Sequence, residues 1–214
     1  MDQEIEIISS ETRKEKIKNF IINKKKTIIA VFIFILLVIF SFFFYQEYEK
    51  GNKERLANKY NATIIEYEAG DKSKILSSMK EIIEDKDKTY SPLAFYYLLD
   101  NDLITSKEEI NKFFDILINE LGLDSETKNL TIFKKGLFNS EFASENELLN
   151  ILNPIIKSES IWKPHALYLM AEYYFAKKQK QKSKEFLEQL VNLEDISTKI
   201  KLEAQKRLLS DFSE

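Results

Sequence analysis

Apolar and polar positions divide the chain into one unbroken apolar run and a long remainder written in helical rhythm. From Thr27 to Gln46 no charged residue occurs, and every position from Ile28 to Phe40 is apolar. As a helix, twenty such residues span about 30 Å, the hydrocarbon thickness of a bilayer. This predicts a membrane-spanning helix. After it, apolar residues recur at three- and four-residue spacing in segments separated by short polar breaks, which predicts helices over 46–68, 72–85, 91–103, 107–121, 126–138, 145–157, 162–177, 180–192 and 197–211. Ser106 with Glu109 and Ser144 with Glu147 have capping-box spacing, and Pro92 and Pro164 stand near helix starts, where a missing N–H costs little. No stretch alternates as a strand would. The expected fold class is all-α: an N-terminal transmembrane helix, then helix-turn-helix pairs.

Composition agrees. Four Gly and three Pro in 214 residues favour long helices over turn-rich sheets. The absence of cysteine removes disulfides, thiolate metal sites and a Cys nucleophile. Residues 47–214 carry 25 Lys and Arg against 30 Asp and Glu, with no basic run interleaved with aromatics, so nucleic acid is not an expected partner.

The apolar segment reads as an anchor that is retained. A cleavable signal would end its shorter apolar region in small residues, whereas this one ends in Ser41-Phe42-Phe43-Phe44-Tyr45, with Tyr45 and Tyr48 where an interfacial aromatic belt would lie. Arg13, Lys14, Lys16, Lys18, Lys24, Lys25 and Lys26 precede it, while Lys50, Lys53, Arg55 and Lys59 follow it mixed with Glu. The short positive side stays in the cytoplasm. The expectation is a cytoplasmic basic tail (1–26), an anchor (27–46) in a bacterial inner membrane, and a periplasmic helical domain (47–214).

Within that domain, alternate helices begin near Ser91, Glu126, Trp162 and Ser197, roughly 35 residues apart, the period of helix-turn-helix solenoids. Such pairs bury their apolar faces only by stacking, and the last helix would cover the end. The clearest unit runs from Pro164-His165-Ala166-Leu167-Tyr168-Leu169-Met170-Ala171-Glu172-Tyr173-Tyr174-Phe175 to Ser183 and Leu187. It resembles the tetratricopeptide pattern of an apolar residue, a Leu-small pair and a Tyr, then small and large residues in the second helix. Leu190 is larger than the pattern's last small residue. The earlier unit around Ser91 to Leu99 is more degenerate, with Leu99 where the pattern has a small residue, which does not favour close helix packing there.

Together, the short charged tail, single anchor and degenerate repeats resemble the family of single-pass ancillary subunits of the bacterial Sec translocon. The similarity is most specific over Ser160 to Phe175, Lys184 to Leu190 and Ala204 to Leu209, and that ending is similar to alphaproteobacterial members. The resemblance implies a periplasmic interaction domain near the translocon that receives or hands on exported chains or links envelope complexes. It also implies that the first helix of each pair lines a concave side, to which Tyr96, Asp100, His165, Tyr168, Glu172 and Phe175 would point. Tyrosines suit contact because they give large area at low entropy cost and keep a polar tip.

Catalytic chemistry is poorly provided for. His165 is the sole histidine, which excludes a multi-His metal site. Glu108-Glu109 and Glu194-Asp195 are adjacent in sequence and point to different sides of a helix. No phosphate-cradling, nucleophile-elbow or zinc-protease motif occurs. Lys177-Lys178-Gln179-Lys180-Gln181-Lys182 reads as a soluble turn before it reads as a docking patch, and Asn61-Ala62-Thr63 and Asn129-Leu130-Thr131 match a glycosylation tripeptide short enough to arise by chance. The expectation is no enzyme, cofactor, metal or small-molecule substrate. The expected role is a membrane-tethered scaffold or chaperone-like accessory whose partners are proteins, translocon subunits or exported chains among them. The alternatives are a cytosol-facing import-type receptor and a non-catalytic subunit of an envelope enzyme.

Overall fold

A computed structural model of the chain describes residues 15, 16, 18–68, 72–194 and 196–212. Among these no strand occurs. A short helix at residues 18–23 (α1) precedes α2 (Lys25–Glu68), α3 (Lys72–Glu84), α4 (Tyr90–Asp100), α5 (Lys107–Asn119), α6 (Ser125–Asn139), α7 (Glu145–Ile156), α8 (Lys163–Ala176), α9 (Lys180–Val191) and α10 (Thr198–Phe212). The periodicity placed the helices from α3 onward within a few residues of these bounds. It did not join 46–68 to the apolar run. These are one helix of 44 residues, because between Thr27 and Glu68 no proline occurs and Gly51 is the lone glycine, which costs a helix about 1 kcal/mol without ending it. Arg13 and Lys14 of the basic tail lie outside the described residues.

The chain forms two compact units, one up to Arg55 and one from Leu56. In the first, α2 is long and apolar enough to cross a membrane, and none of its most apolar window is buried within the protein. Phe40 is 74% exposed and Phe44 80%. A core helix of a soluble domain would show the reverse, and so large a bare apolar surface calls for lipid or a partner.

The second unit buries three successive clusters along the chain. The first joins Leu56, with Tyr60 and Ile64 beside it, to Met79 and Ile83 of α3, Phe95 and Leu98 of α4, and Phe113 and Leu117 of α5. The second joins Ile132 to Leu148 and Leu152 of α7 and to Met170 and Tyr174 of α8. The third joins Leu167 and Ala171 to Leu187 and Leu190 of α9 and Ala204 of α10. Helices pack on neighbours one or two places away, among them α4 on α3, α7 on α6, α9 on α8 and α10 on α9, with α6 reaching α8. The starts of α4, α6, α8 and α10 lie 35, 38 and 35 residues apart. Two polar contacts bridge residues 34 apart: Ser160 donates to the Glu126 carboxylate at 2.8 Å, and the Gln179 amide to that of Glu145 at 3.4 Å.

Local chemistry explains the boundaries. Ser144 and Glu147 form the complete reciprocal cap of α7. At α5 only half forms: the Glu109 N–H donates to the Ser106 hydroxyl, which itself turns to Glu108, while the Glu109 carboxylate pairs with Lys80. Asp124 caps α6 by accepting from the N–H groups of Glu126 and Thr127, and a hydrogen bond from the Thr127 hydroxyl, with these N–H bonds behind it, holds its carboxyl below the usual range.

Candidate functional site

The helical unit is not closed evenly. Between α4, α5 and α6 a cleft of about 710 Å³ opens to solvent. Its apolar side starts from Phe114, buried and edge-on to Phe95 with ring centroids 4.8 Å apart, and continues through Phe138 to Phe142. Toward the mouth, Leu137 is 53% exposed and Phe142 37%. Leu99 lines the α4 wall.

Two lysines roof the aromatic rings. The Lys134 ammonium stands 3.8 Å from the centre of the Tyr96 ring, and that of Lys107 stands 3.8 Å from that of Phe142. Such cations are attracted electrostatically by the ring face. Burial pushes the Tyr96 phenol up to about 12; a hydrogen bond with the Thr131 hydroxyl opposes this, and the negative charge of Asp100 adds to it. Tyr96 therefore stays neutral near neutral pH, suited to contact and hydrogen bonding.

The polar rim comes from the end of α4. The Leu103 N–H closes on the Leu98 carbonyl at 2.9 Å and that of Asp102 on Leu99 at 3.1 Å, a Schellman turn with Asp102 in the left-handed region at φ 53°. Aspartate tolerates that conformation better than bulkier residues. The turn sets Asp102 on the cleft's edge with Asp100, and Glu141 stands at its α6 end.

Of the six residues singled out in the sequence, Tyr96 and Asp100 share this cleft. The other four lie elsewhere in the helical unit. His165 packs among aromatic rings, 5.2 Å from Trp162 and 5.8 Å from Phe133, and its Nδ1 is buried without a hydrogen-bond partner. Tyr168, Glu172 and Phe175 meet α10. Arg207 pairs with Glu172 at 2.9 Å and lies 4.8 Å over the Phe175 ring, which also meets Phe212, while Tyr168 packs against the third core cluster. Sequence reasoning missed Leu137, Phe138, Phe142 and Lys134. A faint signal existed, since Phe138 and Phe142 are four residues apart and Leu137 is an apolar residue on an outward position.

The remaining motifs are occupied structurally. In the basic turn, Lys182 pairs with Glu145 at 2.7 Å, which holds that carboxyl below its ordinary range, and Lys177 lies over the Tyr173 ring. Thr63 and Thr131 are buried in helices and donate to the carbonyls of Lys59 and Thr127, an environment unlike an exposed glycosylation loop. No group of three potential metal ligands occurs among the described residues. Comparison with protein-family models, curated proteins and solved structures returns no match for the chain.

Proposed function

We propose that the chain is a membrane-anchored protein-interaction module: a scaffold or chaperone-like accessory of a cell-envelope complex such as the Sec translocon, built on a degenerate tetratricopeptide-like stack. The observation that carries this reading is the bare apolar window of α2 on a chain whose helical unit has its own closed core. Tethering raises the local concentration of that unit beside other membrane proteins, so modest contacts suffice. The α4–α6 cleft supports the same reading, because it is concave, aromatic and rimmed with polar groups, the anatomy of a contact site. In this reading the basic residues before Thr27 hold the N-terminus in the cytoplasm and the helical unit is periplasmic.

Two measurements test it. In spheroplasts, externally added protease should digest the helical unit; full protection would overturn the periplasmic orientation and favour the cytosol-facing alternative. A photo-crosslinking residue in place of Leu137 should yield polypeptide adducts in intact membranes, identified by mass spectrometry. Adducts with translocon subunits or exported chains are expected, whereas no polypeptide adduct would overturn the interaction reading.

A further inference from the structure

The charges around the α4–α6 cleft are in unequal states. Its two lysines are already engaged, Lys134 on the Tyr96 ring and Lys107 on the Phe142 ring. Its three carboxylates are not. Asp100, Asp102 and Glu141 are exposed at the rim, and among the described residues none of them has an ion-pair or side-chain hydrogen-bond partner. The acids of the neighbouring charged face behave differently: Glu84 pairs with Lys112, Asp115 with Lys135, and Glu120 with Lys86. An arriving cation therefore finds three open carboxylates beside an apolar pocket, against two lysines that lie on rings, so the cleft lining carries a net charge of 2 − 3 = −1.

Resting on the interaction reading above, we propose that the cleft takes a cationic amphipathic polypeptide segment, with an aromatic or aliphatic side chain inserted beside Phe138 and Phe142 and flanking Lys or Arg residues set against Asp100, Asp102 and Glu141. The apolar insertion supplies affinity, and the carboxylate rim supplies selection for positive over negative segments and speeds encounter. Short charged pairs of this kind are screened by salt, so capture weakens as ionic strength rises. Tyr96, held neutral, adds a ring wall and a hydroxyl without repelling either sign.

The test uses the full chain in discs of zwitterionic lipid, with empty discs subtracted. The probes are a short peptide of repeated Lys-Phe-Lys units, its counterpart with Glu for Lys, and a Lys-Ser-Lys control. The first should bind, and the other two should bind far more weakly. The triple change Asp100→Asn, Asp102→Asn and Glu141→Gln should weaken the first peptide about tenfold, while Glu185→Gln, Glu194→Gln and Glu203→Gln, equal in charge but outside the cleft, should leave it unchanged. Equal binding of the Lys and Glu peptides, or equal loss in both triple variants, would overturn the proposal. Polypeptide adducts from position 137 without Lys-Phe-Lys binding would sink the cationic selectivity alone; absence of adducts would sink the interaction reading beneath it.

Discussion

The α4–α5 and α8–α9 pairs were written to similar patterns and close differently. Both first helices end in the same turn: a left-handed residue, Asp102 or Lys178, lets the following N–H reach back, Leu103 to Leu98 and Gln179 to Tyr174, each at 2.9 Å. At α8–α9, however, small Ala171 faces small Ser183, whose buried hydroxyl donates to the Ala171 carbonyl at 2.8 Å. Backbones approach that closely only where side chains are short. At α4 Leu99 lines the cleft, and the small residue of that helix turns the other way: Ser91 donates to the Ile82 carbonyl at 2.9 Å and packs on α3. α8 is thus sealed on α9 through a pair of small residues, while the side of α4 that carries Leu99 stays open, and the opening is where the solvent-facing aromatic surface collects.

The strongest attempt to break this account is Ala171→Leu. Ala171 is essentially fully buried, and added methylenes would prise α9 from α8, at a cost of about 3 kcal/mol by overpacking. Urea unfolding of the full chain measures it; a loss under about 1 kcal/mol would show that close approach is not what holds this pair. Gly136→Ala probes the intermediate pair, α6 and α7. A Cβ there would stand 2.5 Å from Cδ2 and 3.0 Å from Cγ of fully buried Leu152, so the leucine must move. Helix propensity returns about 1 kcal/mol, leaving an expected net loss of about 1–2 kcal/mol. A stabilised variant would mean that α6 and α7 have slack.

Leu99→Ala sharpens the comparison from the open side. If Leu99 acts as the wedge, truncation costs little stability, about 1 kcal/mol because the residue is only half-buried, yet draws α4 and α5 together. Spin labels on the outer faces of the two helices should report a shorter distance. An unchanged distance would remove Leu99 as the cause of the cleft.

These contrasts also show what the chain disclosed and what it withheld. The apolar span and the helices after it were legible because each rests on local periodicity, and Ser144 with Glu147 because a cap is a contact between near neighbours. Leu99 was visible as a large residue where the tetratricopeptide pattern has a small one. Its consequence was not, since it depends on which neighbour α4 chooses. The tetratricopeptide-like pattern pointed to Tyr96 and Asp100, which line the cleft, but Leu137 and Phe142 come from another helix and the turn beyond it. His165, Tyr168, Glu172 and Phe175 occupy matching register, yet the last three meet α10, whose placement over α8 no local pattern encodes.

Titration in alkali gives the finest version of the comparison, because a tyrosine sits on each side of it and both phenols are pushed up to about 12, chiefly by burial. With a folded value above the unfolded value of 10, each neutral phenol contributes stability fully below about pH 10 and loses it as pH rises toward 12. Tyr174, 2% exposed in the sealed region, and Tyr96 in the open cleft should each lose about 2 kcal/mol over that interval. Unfolding measured at pH 9 and pH 11.5 should therefore show a gentler alkaline decline in both Tyr174→Phe and Tyr96→Phe than in the parent chain. Relief in Tyr174→Phe alone would mean that water reaches the Tyr96 phenol in the cleft, and relief in neither would mean that burial holds neither phenol above its ordinary range.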